Sequence, residues 1–119
     1  MARGYAAATV EAVLAELNAA GLQNDARYAE AYSRNRVAKG YGSLRITREL
    51  CERGVAGALA EQVLVTMDID WEEHIRAVRR KKYGLQAPAS FREQAQQSRF
   101  LQYRGFTSEQ IRMAFSNSE

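Results

Sequence analysis

The sequence has one cysteine, one proline and one histidine in 119 residues, and each scarcity removes a class of protein. A single thiol, Cys51, cannot close an internal disulfide, which excludes a cross-linked scaffold and favours a reducing compartment. One histidine and one cysteine cannot assemble a zinc site at normal ligand spacing. Proline, confined to Pro88, leaves the rest of the chain free to run as helix. No apolar run approaches the roughly 18–20 residues that a membrane span requires. The opening MARGYAAATVEAVL lacks the charged, apolar and cleavable order of a secretory signal. A cytoplasmic protein without membrane contact is expected.

What is present suits a folded helical chain. Apolar residues make up 46% and charged residues 26%, enough of the first to bury a core. The length fits one small domain or a short array of repeats. The net charge of +3 hides a banded distribution. Residues 34–53 carry six basic and two acidic side chains, 54–75 carry five acids and no Lys or Arg, and 76–82 carry five bases and no acid. Such bands suit a polyanion or a charged protein surface.

Periodicity points to helices nearly everywhere and to strands nowhere. Val10, Val13, Leu14 and Leu17 set a first helix over 10–20, with Thr9 as its cap and Gly21 as its stop. Asn24 caps a second, with Tyr28 and Tyr32 one turn apart, ending at Lys39 before Gly40. Ser43 caps a third that ends at Gly54, and a fourth spans 57–67. Asp70 with Glu73, and Ser90 with Glu93, are capping-box pairs that open a fifth and a sixth. Thr107 with Gln110 opens a short seventh, on which Ile111 can meet Phe106 as a hydrophobic staple.

A repeat underlies this order. Leu-x-x-x-Gly-apolar occurs as LNAAGL at 17–22, LCERGV at 50–55 and LQYRGF at 101–106. RVAKGYG at 36–42 is echoed by RRKKYG at 79–84. These echoes predict an elongated all-α array of tandem three-helix, helix-turn-helix-like repeats. In this phase 1–42 is a first repeat lacking its first helix, 43–84 a full second repeat and 85–119 a third.

Catalytic chemistry is missing from the pattern. His74 lies one turn from Trp71 and Val78, at the border of a packed face, and Cys51 reads as a small core or boundary residue. The Gly40-Tyr41-Gly42 turn has neither the spacing nor the preceding strand of a phosphate loop. No enzyme, cofactor or metal is expected. Binding remains, carried by Arg34, Arg36, Lys39, Arg45 and Arg48 around the turn and by Arg76, Arg79, Arg80, Lys81 and Lys82 further on. Arg45 can pair with Glu49 and Arg48 with Glu52 at i,i+4, which partly neutralises the first group. Tyr41, Tyr83 and Tyr103 are candidates for stacking or for covering helix ends, Tyr41 as a lid over the joint between repeats.

With these residues in view, the chain resembles the RecX family, regulatory proteins of the RecA recombinase. The likeness runs through NDARYAEAYSRNRVAKGYGSLRITRELCERGV, then DIDW, KKYG and RFLQYRGFTSEQI. It lacks the further N-terminal helical segment and charged linker usual in the family, and so looks like a shortened form. The resemblance implies tandem three-helix repeats used for protein contact, and as partner the RecA–DNA filament. It also implies binding along the filament groove with suppression of ATP hydrolysis, strand exchange and coprotease activity. The two arginine- and lysine-rich groups are then the first and second candidates for that contact, made by a monomer. Non-specific single- or double-stranded DNA is the other candidate partner, for a helix-turn-helix-like module acting without RecA.

Overall fold

A computed structural model describes residues 2–116, all in helices or the turns between them. The helices are α1 (Ala2–Ala38), α2 (Ser43–Glu52), α3 (Gly57–Thr66), α4 (Trp71–Tyr83), α5 (Phe91–Tyr103) and α6 (Ser108–Ala114). The first two expected helices are therefore one. Gly21 keeps a helical backbone inside α1, as do Thr9 and Asn24, so neither of the latter serves as a cap. The physical reason lies in packing. A glycine ends a helix when the residues around it gain partners by turning away, and Leu17 and Leu22 remain 62% and 59% exposed.

The other two copies of the Leu-x-x-x-Gly-apolar pattern do end helices. After α2, Val55 N–H donates to the Leu50 carbonyl and Gly54 N–H to the Cys51 carbonyl. After α5, Phe106 does the same to Leu101 and Gly105 to Gln102. These are paired C-terminal caps in which the leucine and the final apolar residue meet in the core, where all four are buried. Of the six expected start caps, Thr9, Asn24 and Ser43 do not cap and three do. The pairs Asp70–Glu73 and Ser90–Glu93 form only the first half of the expected box, Glu93 accepting from the Ala89 N–H instead. Asp70, Ser90 and Thr107 each accept from the backbone N–H three residues on, and Thr107 with Gln110 closes a full capping box. Ile111 packs on the cluster that contains Phe106. At α2 the cap is Gly42 rather than Ser43, with no side-chain bond.

Packing gathers the helices into two units. Ala29 of α1, Ile46 and Leu50 of α2, Val55, and Ala60, Val63 and Leu64 of α3 form one core. Ile75 of α4, Leu101 of α5 and Phe106 form the second, with Trp71 touching both. The units are therefore the C-terminal half of α1 with α2 and α3, then α4 with α5 and α6. The boundaries expected at 42/43 and 84/85 each cut through one of these cores, because the echoes that suggested them mark helix ends rather than unit ends. Residues 1 and 117–119 of the outer expected repeats lie outside the described residues. The radius of gyration is 20.7 Å, against about 13–14 Å for a compact domain of this length. The chain is elongated as expected, but much of the length is α1 itself, whose 37 residues run about 55 Å. Its residues 12–25 are exposed outside both cores.

A candidate partner-binding surface at the joint between units

The two units are locked by the turns that end α1 and α5. Gly42 N–H donates to the Arg104 carbonyl at 2.8 Å, and Leu44 N–H to the Gly105 carbonyl at 2.9 Å. Backbones come this close only because both turns lack a side chain. A Cβ on Gly42 would stand 2.6 Å from the Gly105 backbone, and one on Gly105 would stand 2.3 Å from Cβ of Arg45. Gly105 also has φ +99°, which L side chains rarely adopt. Arg104 Nη1 donates to the Lys39 carbonyl at 3.0 Å, and His74 Nε2 meets the Tyr41 carbonyl at 3.0 Å. Burial lowers the His74 pKa, partly offset by that carbonyl. The neutral imidazole thus donates through Nε2. The Tyr41 ring lies among the guanidinium groups of Arg36, Arg45 and Arg104, at 3.9, 4.5 and 4.9 Å from its centroid. Tyr41, expected to cover a joint at 42/43, lies instead where the turn after α1 meets the turn after α5.

Beside Tyr41, Glu49 collects charge from both sides. Arg36 donates to it through Nε at 2.9 Å and Nη2 at 3.0 Å, Arg45 through Nε at 3.0 Å, and the Tyr32 hydroxyl at 2.8 Å. Burial alone would raise the Glu49 pKa, but the bonds from Arg36, Arg45 and Tyr32 outweigh it and hold the carboxyl at about 2. Arg45 reaches on to the Tyr103 carbonyl in the second unit at 3.3 Å. Arg36 and Arg45 are thereby structural ties, with much of their charge answered inside the molecule.

Arg79 is likewise an interior residue, 8% exposed. Its Nε donates to Gln97 Oε1 at 2.9 Å and its Nη2 to the Gln86 carbonyl at 2.8 Å, which anchors the α4–α5 loop. Arg76 pairs with Glu72 at 2.7 Å and donates to the Met113 carbonyl. Arg34 and Arg80 are exposed ion-pair partners of Glu30 and Glu73. Arg48 is exposed, and among the described residues no ion pair joins it to Glu52. Cys51, expected at a core or its boundary, is exposed.

The remaining candidates converge. Lys39, at the end of α1, faces Lys81 and Lys82, near the end of α4, across a groove of about 570 Å³. Arg104 completes the basic rim, and the apolar floor includes Val37, Val78 and Phe100. The long-range partner that sequence reasoning passed over is Arg104. Its only sequence signal was its place before the cap glycine in LQYRGF, matching Arg53 in LCERGV. Among the described residues, no helix is long and apolar enough to cross a membrane, and no group of His, Cys, Asp or Glu side chains could hold a metal ion.

Two three-helix units in tandem, coupled turn to turn and bearing an uneven charge pattern, define a tandem helical-repeat protein. Residues 24–64 match the second three-helix domain of RecX and residues 68–115 the third. The same grouping appears in the two cores. The chain is 43% identical over 112 residues to a regulatory protein RecX from Halorhodospira halophila, covering 94% of this chain and 70% of that one. It is 42% identical over 109 residues to those of Pseudomonas putida and Acidithiobacillus ferrooxidans, covering 92% of this chain and 70% and 69% of theirs. The chain belongs to the RecX family.

Proposed function

We propose that the chain is a non-enzymatic, cytoplasmic regulator that binds along the groove of the RecA nucleoprotein filament as a monomer. In this reading it inhibits RecA's ATPase, strand exchange and coprotease activities, and so acts in DNA repair, recombination and the SOS response. The observation that carries the reading is the turn-to-turn joint within a RecX-family chain. By holding two three-helix units as one body from which α1 extends, it supports a chain that spans neighbouring protomers of a helical assembly. Charge bands of both signs suit a groove made of protein with DNA beneath it.

Of the residues expected to make contact, Arg34, Lys39, Arg48, Arg80, Lys81 and Lys82 are exposed and available to a partner. Arg36, Arg45 and Arg79 support the surface from within, and Arg76 is half-buried against α6. The test is RecA's ATPase on single-stranded DNA. Adding the chain should depress turnover, and a folded chain that leaves turnover unchanged at saturating concentration overturns the reading. Salt-sensitive binding to naked DNA, with RecA untouched, would support a nucleic-acid module acting alone.

A further inference from the structure

We infer that the groove between the end of α1 and helices α4 and α5 is a docking site for an acidic protein segment that carries a large apolar side chain. It is lined by four cations, Lys39, Lys81, Lys82 and Arg104, and by no carboxylate among the described residues. Lys39 and Lys81 are 42 positions apart in sequence, so only the joint puts them on one rim. None of the three lysines is held in an ion pair among the described residues, whereas Arg34 and Arg80, outside the groove, have glutamate partners. Four like charges crowded at one cleft repel one another, and an incoming polyanion relieves that repulsion.

The floor narrows the ligand class. Val78 and Phe100 offer apolar surface, and the volume of about 570 Å³ falls in the range of about 300–1,000 Å³ typical of ligand clefts. A nucleic acid would use the rim and waste that floor unless a base stacked on Phe100. Yet Lys82 Nζ and the Arg104 guanidinium lie 4.9 and 5.1 Å from the Phe100 ring centroid, and the Tyr83 ring packs edge-on at 5.6 Å. The ring is already engaged, so the apolar surface left to a ligand is chiefly a trough of Val37, Ala77 and Val78 between cationic walls. That suits an aliphatic or aromatic side chain better than a stacked base. Such a trough fits one apolar side chain flanked by carboxylates. The inference rests on the reading that the chain's target is a protein assembly, and it names the chemistry by which one protomer would be gripped.

The probe is a fluorescent peptide, Glu-Asp-Glu-Phe-Glu-Asp-Glu, with binding to the whole chain followed by anisotropy. The chain should bind it, and replacing the peptide's Phe by Ser should weaken binding by about fivefold or more. Lys81→Glu with Lys82→Glu should weaken it by about tenfold or more, while Arg92→Glu with Arg112→Glu, an equal charge change on exposed residues outside the groove, should not. Both lysines are exposed, and circular dichroism checks that the variant keeps its helices. Oligothymidylate of equal charge binding as tightly as the peptide overturns the proposal in favour of a phosphate site. Equal loss in the two double variants, or indifference to the Phe, overturns it in favour of diffuse attraction. RecA ATPase assays run beside these separate the two claims. Peptide binding by a chain that does not inhibit RecA leaves the groove standing and removes the RecA reading. Full RecA inhibition by the Lys81/Lys82 variant leaves the RecA reading and removes the groove as its grip.

Discussion

Glu49 accepts two bonds from Arg36 on α1, one from Arg45 on its own helix and one from Tyr32, and this fixes the angle at which α1 meets α2. Its carboxyl sits at about 2 instead of 4.5, so it stays ionised in the fold under conditions that protonate the unfolded chain. Its contribution is therefore complete above pH 4.5 and is lost as the pH falls through about 2. Glu49→Gln should cost about 2–3 kcal/mol, since two arginines lose a charged acceptor. It should also flatten the acid limb of stability between pH 4.5 and about 2, measured by urea unfolding across that range. An unchanged acid limb would show that other carboxylates govern it. The pairing of Arg45 with Glu49 was legible in the sequence because i,i+4 neighbours share a helix face whatever the tertiary fold. The claim of Arg36, 13 residues away, was not, because it depends on the chain reversing at Gly40. For the same reason the sequence groups Arg76, Arg79, Arg80, Lys81 and Lys82 together as binding candidates. Only the packing of α5 beside α4 shows that Arg79 points inward to Gln97 while Lys81 and Lys82 point out.

At the scale of elements, three copies of one pattern behave in two ways. LCERGV and LQYRGF stop helices, and LNAAGL does not. All three offer the same backbone option, so local propensity cannot separate them. What separates them is whether the leucine and the last apolar residue find a core. Opposite consequences follow for alanine at two of the glycines. Gly21→Ala meets no atom within 4 Å and should raise helicity at 222 nm, with a gain of up to about 1 kcal/mol where that turn is coupled to folding. Gly105→Ala places a Cβ against Arg45 at positive φ and should cost about 2 kcal/mol or more in thermal or urea unfolding. Equal and small effects at both sites would mean that the joint can shift without penalty.

At the scale of the molecule, each three-helix unit has its own core, and the joint decides whether they act as one body. Gly42→Val would drive a side chain into the Gly105 backbone while leaving both cores intact. Helicity should persist. Small-angle scattering should move from a profile with a radius of gyration near 20.7 Å toward a broader distribution, and on the proposed function any inhibition of RecA should weaken as the units uncouple. A variant with unchanged scattering would show that side-chain ties such as Arg104 to the Lys39 carbonyl suffice. The helical class, most helix ends, the caps at Asp70, Ser90 and Thr107 and the family were all written locally, in apolar spacing and in short signals that neighbours along the chain interpret by themselves. Tertiary structure alone decided where one unit ends and the next begins, and which arginines are bonded inside the molecule. It also brought Lys39, Lys81, Lys82 and Arg104 to a single cleft. Those outcomes depend on groups that meet only after the chain has folded back on itself, and no local pattern records which distant residue a side chain will face.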